Sequence, residues 1–249
     1  MQLHPGRPAL LLPLNGTCGL IVALDEPDVP SALRLARAVA PHAQMVKVGL
    51  ELFVEAGPAA VGIGREVGLP VFLDLKLHDI PETVERAVAR ASALGVSLLT
   101  IHAQGGPTMV RRAVERAKVE GDTLTIAAVT VLTSLDDADV RAIGVERSAR
   151  DHARALARLA FDAGARAFIC SPAEVASLRA ELGSDARLIT PGVRPTGSAG
   201  GDQKRVATPT DAARAGANAL GVGRPIRDAA DPAAAASAIA RELEGAVPR

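Results

Sequence analysis

The feature that most constrains this chain is an alternation. Apolar runs of strand length are separated, again and again, by segments whose apolar residues recur every three or four positions. Residues 20–25 are followed by an amphipathic stretch over 29–40, and residues 45–50 by a second helix ending near Gly68. Residues 71–77 lead into 80–95, where Ile80, Val84, Ala87, Val88, Ala91 and Leu94 fall on one helical face. The pairing continues with 97–102 and a helix to Gly121, 124–132 and helical segments to Gly164, and 167–170 and a helix to Gly183. It closes with 187–190 and a short helix to Gly216, then 219–222 and a last helix through Glu244. Strands that are apolar on both faces and joined by helices make a parallel sheet. About eight such units in roughly 230 residues predict a closed (β/α)8 TIM barrel, with a doubly wound open sheet as the second arrangement.

No linker or compositional break divides the chain, so a single barrel domain over 19–249 is expected, preceded by an N-terminal extension at 1–18. The apolar run from Ala9 to Leu14 is short, is interrupted by Pro13 and lacks a clustered basic region, which reads as neither signal peptide nor membrane span. Lys plus Arg and Asp plus Glu are equal at 28 each, leaving no basic field for nucleic acid or an anionic membrane. Without Trp or Tyr there is little to stack on bases. A small molecule is the expected partner. The two cysteines, Cys18 and Cys170, are too few for a disulfide framework and favour a cytoplasmic location.

Against this apolar background one segment stands out: Phe72 to Thr83, FLDLKLHDIPET. It puts Asp74, Lys76 and Asp79 where the leucines say core. An unpaired buried charge costs several kcal/mol, so these groups must be paired, at an open strand end, or both. Strand alternation sends Asp74 and Lys76 to one face and Leu73, Leu75 and Leu77 to the other. With the leucines against the helices, the charges face the barrel axis, near the C-terminal ends of the strands where barrel enzymes keep their active sites. Asp79 follows in the loop, where it could equally cap the next helix. Asp25 closes the first strand and Lys47 lies in the second, so strands one to three bring two lysines and their acids to one pocket. A lysine held charged between carboxylates is the arrangement of a general acid. Asp74 with Lys76 could also be no more than an ion pair filling a polar layer.

The other half of the chain carries different chemistry. A Gly-rich loop from Thr190 to Arg205 follows the seventh strand, and Gly221-Val-Gly223-Arg224-Pro225-Ile226 follows the eighth. Barrels bind phosphate chiefly at these two loops, where backbone N–H groups and an arginine meet the anion. Arg224 is the obvious cation, unless the glycines serve only a tight turn. There is no Walker loop, Gly62-Ile-Gly64 has Val67 where a dinucleotide fingerprint needs glycine, and no His/Cys/carboxylate cluster has metal spacing.

Together, LDLKLHDIPETV, VALD, VKVG, VTVLTS, TPGVRP, DQKR and GVGRPI resemble orotidine 5′-phosphate decarboxylases of the common bacterial type, from about Leu20 to Ile226. The resemblance implies conversion of orotidine monophosphate to UMP in pyrimidine biosynthesis, with neither metal nor organic cofactor. It implies that Lys76 donates the proton to the ring carbon that loses the carboxylate and that Asp74 sits against that carboxylate. Lys47 and Asp25 would hold ribose hydroxyls and the charge network. Asp79 and Thr83 would reach into the neighbour's site across a homodimer interface. Thr133, beside Ser134, would contact the pyrimidine, and Arg194, Gln203, Gly223 and Arg224 the phosphate and the closing loop. His102 is expected only to support the site. The extension and Val222, read as part of the last loop, depart from the pattern. Sugar-phosphate decarboxylases and aldolases share the Asp-x-Lys-x-x-Asp strand but offer magnesium a second-strand carboxylate, where this chain has Lys47. A catalytically silent phosphate-binding barrel would be expected to have lost some of these charges.

Overall fold

The computed structural model describes residues 18–194 and 207–246. Eight parallel strands close into a barrel in sequence order: β1 (Gly19–Ala23), β2 (Met45–Val48), β3 (Val71–Leu77), β4 (Leu98–His102), β5 (Thr125–Val129), β6 (Ala167–Ile169), β7 (Arg187–Pro191) and β8 (Ala219–Val222). Pairing of β1 with β8, from Gly19↔Ala219 to Val22↔Val222, completes the ring and rules out the open sheet. Among the described residues, no helix is long and apolar enough to cross a membrane.

Alternation along each strand divides the apolar residues into two cores. Ile21, Met45, Phe72, Leu98, Ala127, Ala167, Ile189 and Ala219, one from each strand, pack together inside the barrel. They form the floor on which the mouth is built. The outward residues, including Leu73, Leu99, Ile101 and Leu188, join the helices in the larger outer core. Leu75 and Leu77 pack against that core as well, as the alternation of β3 predicts.

Differences from the sequence reading lie mostly at the mouth. β1 ends at Ala23, so Asp25 stands two residues beyond the strand. The second predicted helix is two, Leu50–Ala56 and Pro58–Val67, because Gly57 adopts φ 54 between them and Pro58 starts the next turn. Val222 ends β8, as the apolar run over 219–222 predicts, and so precedes the last loop with which the sequence reading also groups it.

Candidate active site

Two inward positions above the floor, β3 leaves regular geometry. Its register with β4 jumps between Leu73 and Leu77, and Lys76 adopts φ 51, a left-handed conformation costing a non-glycine residue roughly 1–3 kcal/mol. The Lys76 N–H there donates to the hydroxyl of Thr100 on β4, at 2.8 Å. That hydroxyl donates in turn to Asp74 Oδ1, at 2.9 Å.

The carboxylate of Asp74 is the centre of a charge chain. Lys76 Nζ lies 2.9 Å from its Oδ1 and Lys47 Nζ 3.7 Å from its Oδ2, while Lys47 Nζ also donates to Asp25 Oδ1 at 3.0 Å. Side-chain exposure rises from 14% at Asp74 and 16% at Lys47 to 32% at Lys76 and 40% at Asp25, so the chain runs from the barrel interior to water. Burial alone would push the Asp74 carboxyl up; the lysines Lys47 and Lys76, with hydrogen bonds from Lys76 and Thr100, outweigh it and hold the group below the usual carboxylate range. Gly49 makes room for this arrangement, since a Cβ there would come 2.9 Å from Lys47 Nζ and 3.1 Å from Asp25 Oδ1.

The residue held between two acids is therefore Lys47. Lys76 meets one carboxylate of its own chain, Asp74. Asp79 does not supply the second, and it does not cap the following helix either. Its Oδ1 accepts from the adjacent Ile80 N–H at 2.6 Å, and the cap of helix Pro81–Ala93 falls one residue later, on Ile80, with no side-chain hydrogen bond. Asp79 and Thr83 are both exposed.

Asp25, Lys47, Asp74 and Lys76 line one wall of a cavity of about 490 Å³. The adjoining part of the lining comes from β7, β8 and the residues after them, Pro191, Gly192, Arg194, Gly221, Gly223 and Arg224, with β8 paired directly to β1. Thr133 reaches the same cavity, whereas Ser134 is not part of its lining. Arg227, which the sequence did not single out, also borders it and donates from Nη1 to the Asp25 carbonyl at 3.0 Å, tying the end of β1 to the turn after β8. Gln203 lies outside the described residues. His102, at the end of β4, stacks on His78 with ring centroids 5.4 Å apart and lies outside the cavity lining. Thr100 is the other residue that sequence reasoning missed. Only its position, two residues after Leu98 and thus inward, marked it in advance.

A closed barrel with acidic and basic side chains at the C-terminal ends of its first strands and an arginine-bearing glycine rim beside them defines a barrel of the enzyme class. The particular family follows from comparison. Residues 19–239 match the model of the orotidine 5′-phosphate decarboxylase / HUMPS family, and the chain belongs to it. An orotidine 5′-phosphate decarboxylase of Thermobifida fusca is 57% identical over 228 residues, covering 90% of this chain and 95% of the relative. One from Anaeromyxobacter sp. is 55% identical over 224 residues, covering 90% and 97%. The crystal structure of orotidine 5′-phosphate decarboxylase from Lactobacillus acidophilus superposes with a TM-score of 0.80 at 37% identity, over 91% of this chain and 99% of that one.

Proposed function

We infer that this chain converts orotidine 5′-phosphate into UMP and carbon dioxide in pyrimidine biosynthesis. The observation that carries the reading is the Asp74–Lys76 pair, fixed 2.9 Å apart at the cavity wall of a family member. Cleavage of the carbon–carbon bond releases carbon dioxide and leaves an electron pair on the ring carbon, for which the ring offers little stabilisation. Lys76 supplies fixed positive charge to that carbon as it develops and then transfers a proton from Nζ to it. Asp74, held ionised, lies against the departing carboxylate. Lys47 and Asp25 hold ribose hydroxyls, Thr133 meets the pyrimidine, and Arg194, Gly223 and Arg224 receive the phosphate together with Gln203. Binding energy gathered at the phosphate end then serves the reacting end.

The finer reading adds a second chain. Asp79 and Thr83 act in the neighbouring subunit of a homodimer, which supplies Lys76 with the second acid that its own chain does not. The exposure of Asp79 and Thr83, and of the apolar Ile80 between them at 66%, supports this. The two free cysteines are buried and fit a reducing cytoplasm.

The metal-dependent alternative is disfavoured by Lys47. Its ammonium lies 3.0 Å and 3.7 Å from two carboxylates, where a divalent ion would otherwise gather them. Incubation with orotidine 5′-phosphate in EDTA, followed by ultraviolet absorbance, tests the assignment. Full turnover is expected; activity lost on chelation and restored by magnesium would move the chain to the sugar-phosphate branch.

A further inference from the structure

Thr100 is completely buried, yet its hydroxyl is used on both sides. It accepts from the Lys76 backbone at 2.8 Å and donates to the Asp74 side chain at 2.9 Å. Leu98 lies in the barrel floor, so alternation along β4 aims Thr100 inward at the level of Asp74. The contact falls where β3 has lost its register with β4 and Lys76 turns left-handed. Backbone pairing between the strands does not by itself fix this segment.

We propose that Thr100 is a positioning residue for decarboxylation, one hydroxyl fixing both the backbone of Lys76 and the carboxylate that Lys76 pairs with. This rests on the decarboxylase reading and adds to it a residue that touches neither substrate nor reacting atoms. Asp74 Oδ1 receives Lys76 Nζ and Thr100 Oγ, each at 2.9 Å. Without the hydroxyl, the carboxylate loses one of the two donors that set its rotation, and the Lys76 amide loses its acceptor in a conformation that needs one. The ammonium then wanders from the line of the reacting carbon, while the glycine and arginine rim after β7 and β8 is unchanged.

Thr100→Val preserves shape and removes the hydroxyl. A misplacement of about 1 Å costs on the order of 10²-fold, and that loss is expected in kcat, with KM and inhibition by UMP altered less than about threefold. The acid limb of kcat should move to higher pH, because Asp74 has lost a donor that favoured its charged form. Thr100→Ser retains the hydroxyl and should recover kcat to within about fivefold, together with the wild-type acid limb. Should Thr100→Val fail to fold, Thr100→Ala deletes the same hydroxyl without setting a methyl against Asp74, and the same outcomes apply. Unchanged kcat in the folded hydroxyl-less variant overturns the proposal, as does Thr100→Ser falling equally far, since packing of the methyl would then be what matters. Wild-type protein that never turns over orotidine 5′-phosphate instead overturns the decarboxylase reading, and the positioning role with it.

Discussion

The two sides of the cavity are built from different materials. Along β1 to β3 the wall is made of side chains, Asp25, Lys47, Asp74 and Lys76, linked by contacts of 2.9 to 3.7 Å. Along β7 and β8 it is mostly backbone, with Pro191, Gly192, Gly221 and Gly223 setting the surface and Arg194 and Arg224 the charge. The first wall is rigid because each charge is held by the next. Such a wall suits a transition state, since its dipoles and charges need no rearrangement when the reaction occurs. The second suits an anion approaching from solvent, which open backbone and arginine can meet. Loss of a group from the first side should therefore appear in the chemical step, and loss from the second in capture of the nucleotide.

The largest effect is expected on the first side. Lys76→Ala removes both the charge and the proton, and should lower kcat by at least about 10⁴-fold while UMP binding remains measurable by calorimetry. Weakened UMP binding with near-normal turnover of bound substrate would reverse the division of labour. The same variant tests the second chain. Asp79→Ala is also expected to be severely impaired, yet a hybrid dimer of the two variants contains one site with both Lys76 and Asp79. Subunit exchange should then restore activity, to at most about one working site per hybrid. A residue acting within its own chain gives no such rescue, so failure after verified exchange would withdraw Asp79 from the site.

A smaller effect is expected on the second side. Arg224→Ala should lower kcat/KM for orotidine 5′-phosphate by roughly 10- to 150-fold, or about 1.5–3 kcal/mol, the range for a hydrogen bond to a charged group. A substrate lacking the phosphate should be nearly indifferent to the change. Equal loss on both substrates would make Arg224 a structural residue and leave the anion rim without its cation.

The same contrast governs what could be read in advance. The apolar alternation carried the barrel because each strand must bury both faces, and it gave β3 and β8 their limits because Val71–Leu77 and Ala219–Val222 are bounded by turn residues. The charges of the first side were legible as acids and lysines amid leucines. What could not be read was their connection. That Lys47 rather than Lys76 is held between two acids of its own chain depends on how β2 and β3 lie in register, with Lys47 opposite Phe72. Thr100 was marked only by its inward position, for a related reason: a threonine in a strand is ordinary, and its importance arises from the irregular backbone of its neighbour. Asp79 resembled a helix cap, but Pro81 at the first helical position moved the cap onto Ile80.

The smallest expected effect concerns a group at the end of β4, next to the first side and outside the cavity lining. Burial, with His78, Lys76 and His152 nearby, lowers the pKa of His102 to about 4. Its Nδ1 accepts from the Gln104 N–H at 3.3 Å, as a neutral ring can. In the unfolded chain an ordinary histidine titrates near 6.5. Between pH 6.5 and 4 the unfolded state thus binds more protons at this position than the folded state does, and its contribution to stability falls as pH falls through that window. Asp74 acts in the same direction but lower, because its pKa is depressed from 3.8. His102→Asn keeps an acceptor for Gln104 and cannot titrate, so its melting temperature should depend less on pH between 6.5 and 4. With partial exposure reducing the effect, the gap between variant and wild type should narrow by about 2–4 °C from pH 7 to pH 5. Parallel curves of melting temperature against pH would show that His102 is not the group whose charging destabilises the mouth, and would move the acid sensitivity of the first side to its carboxylates.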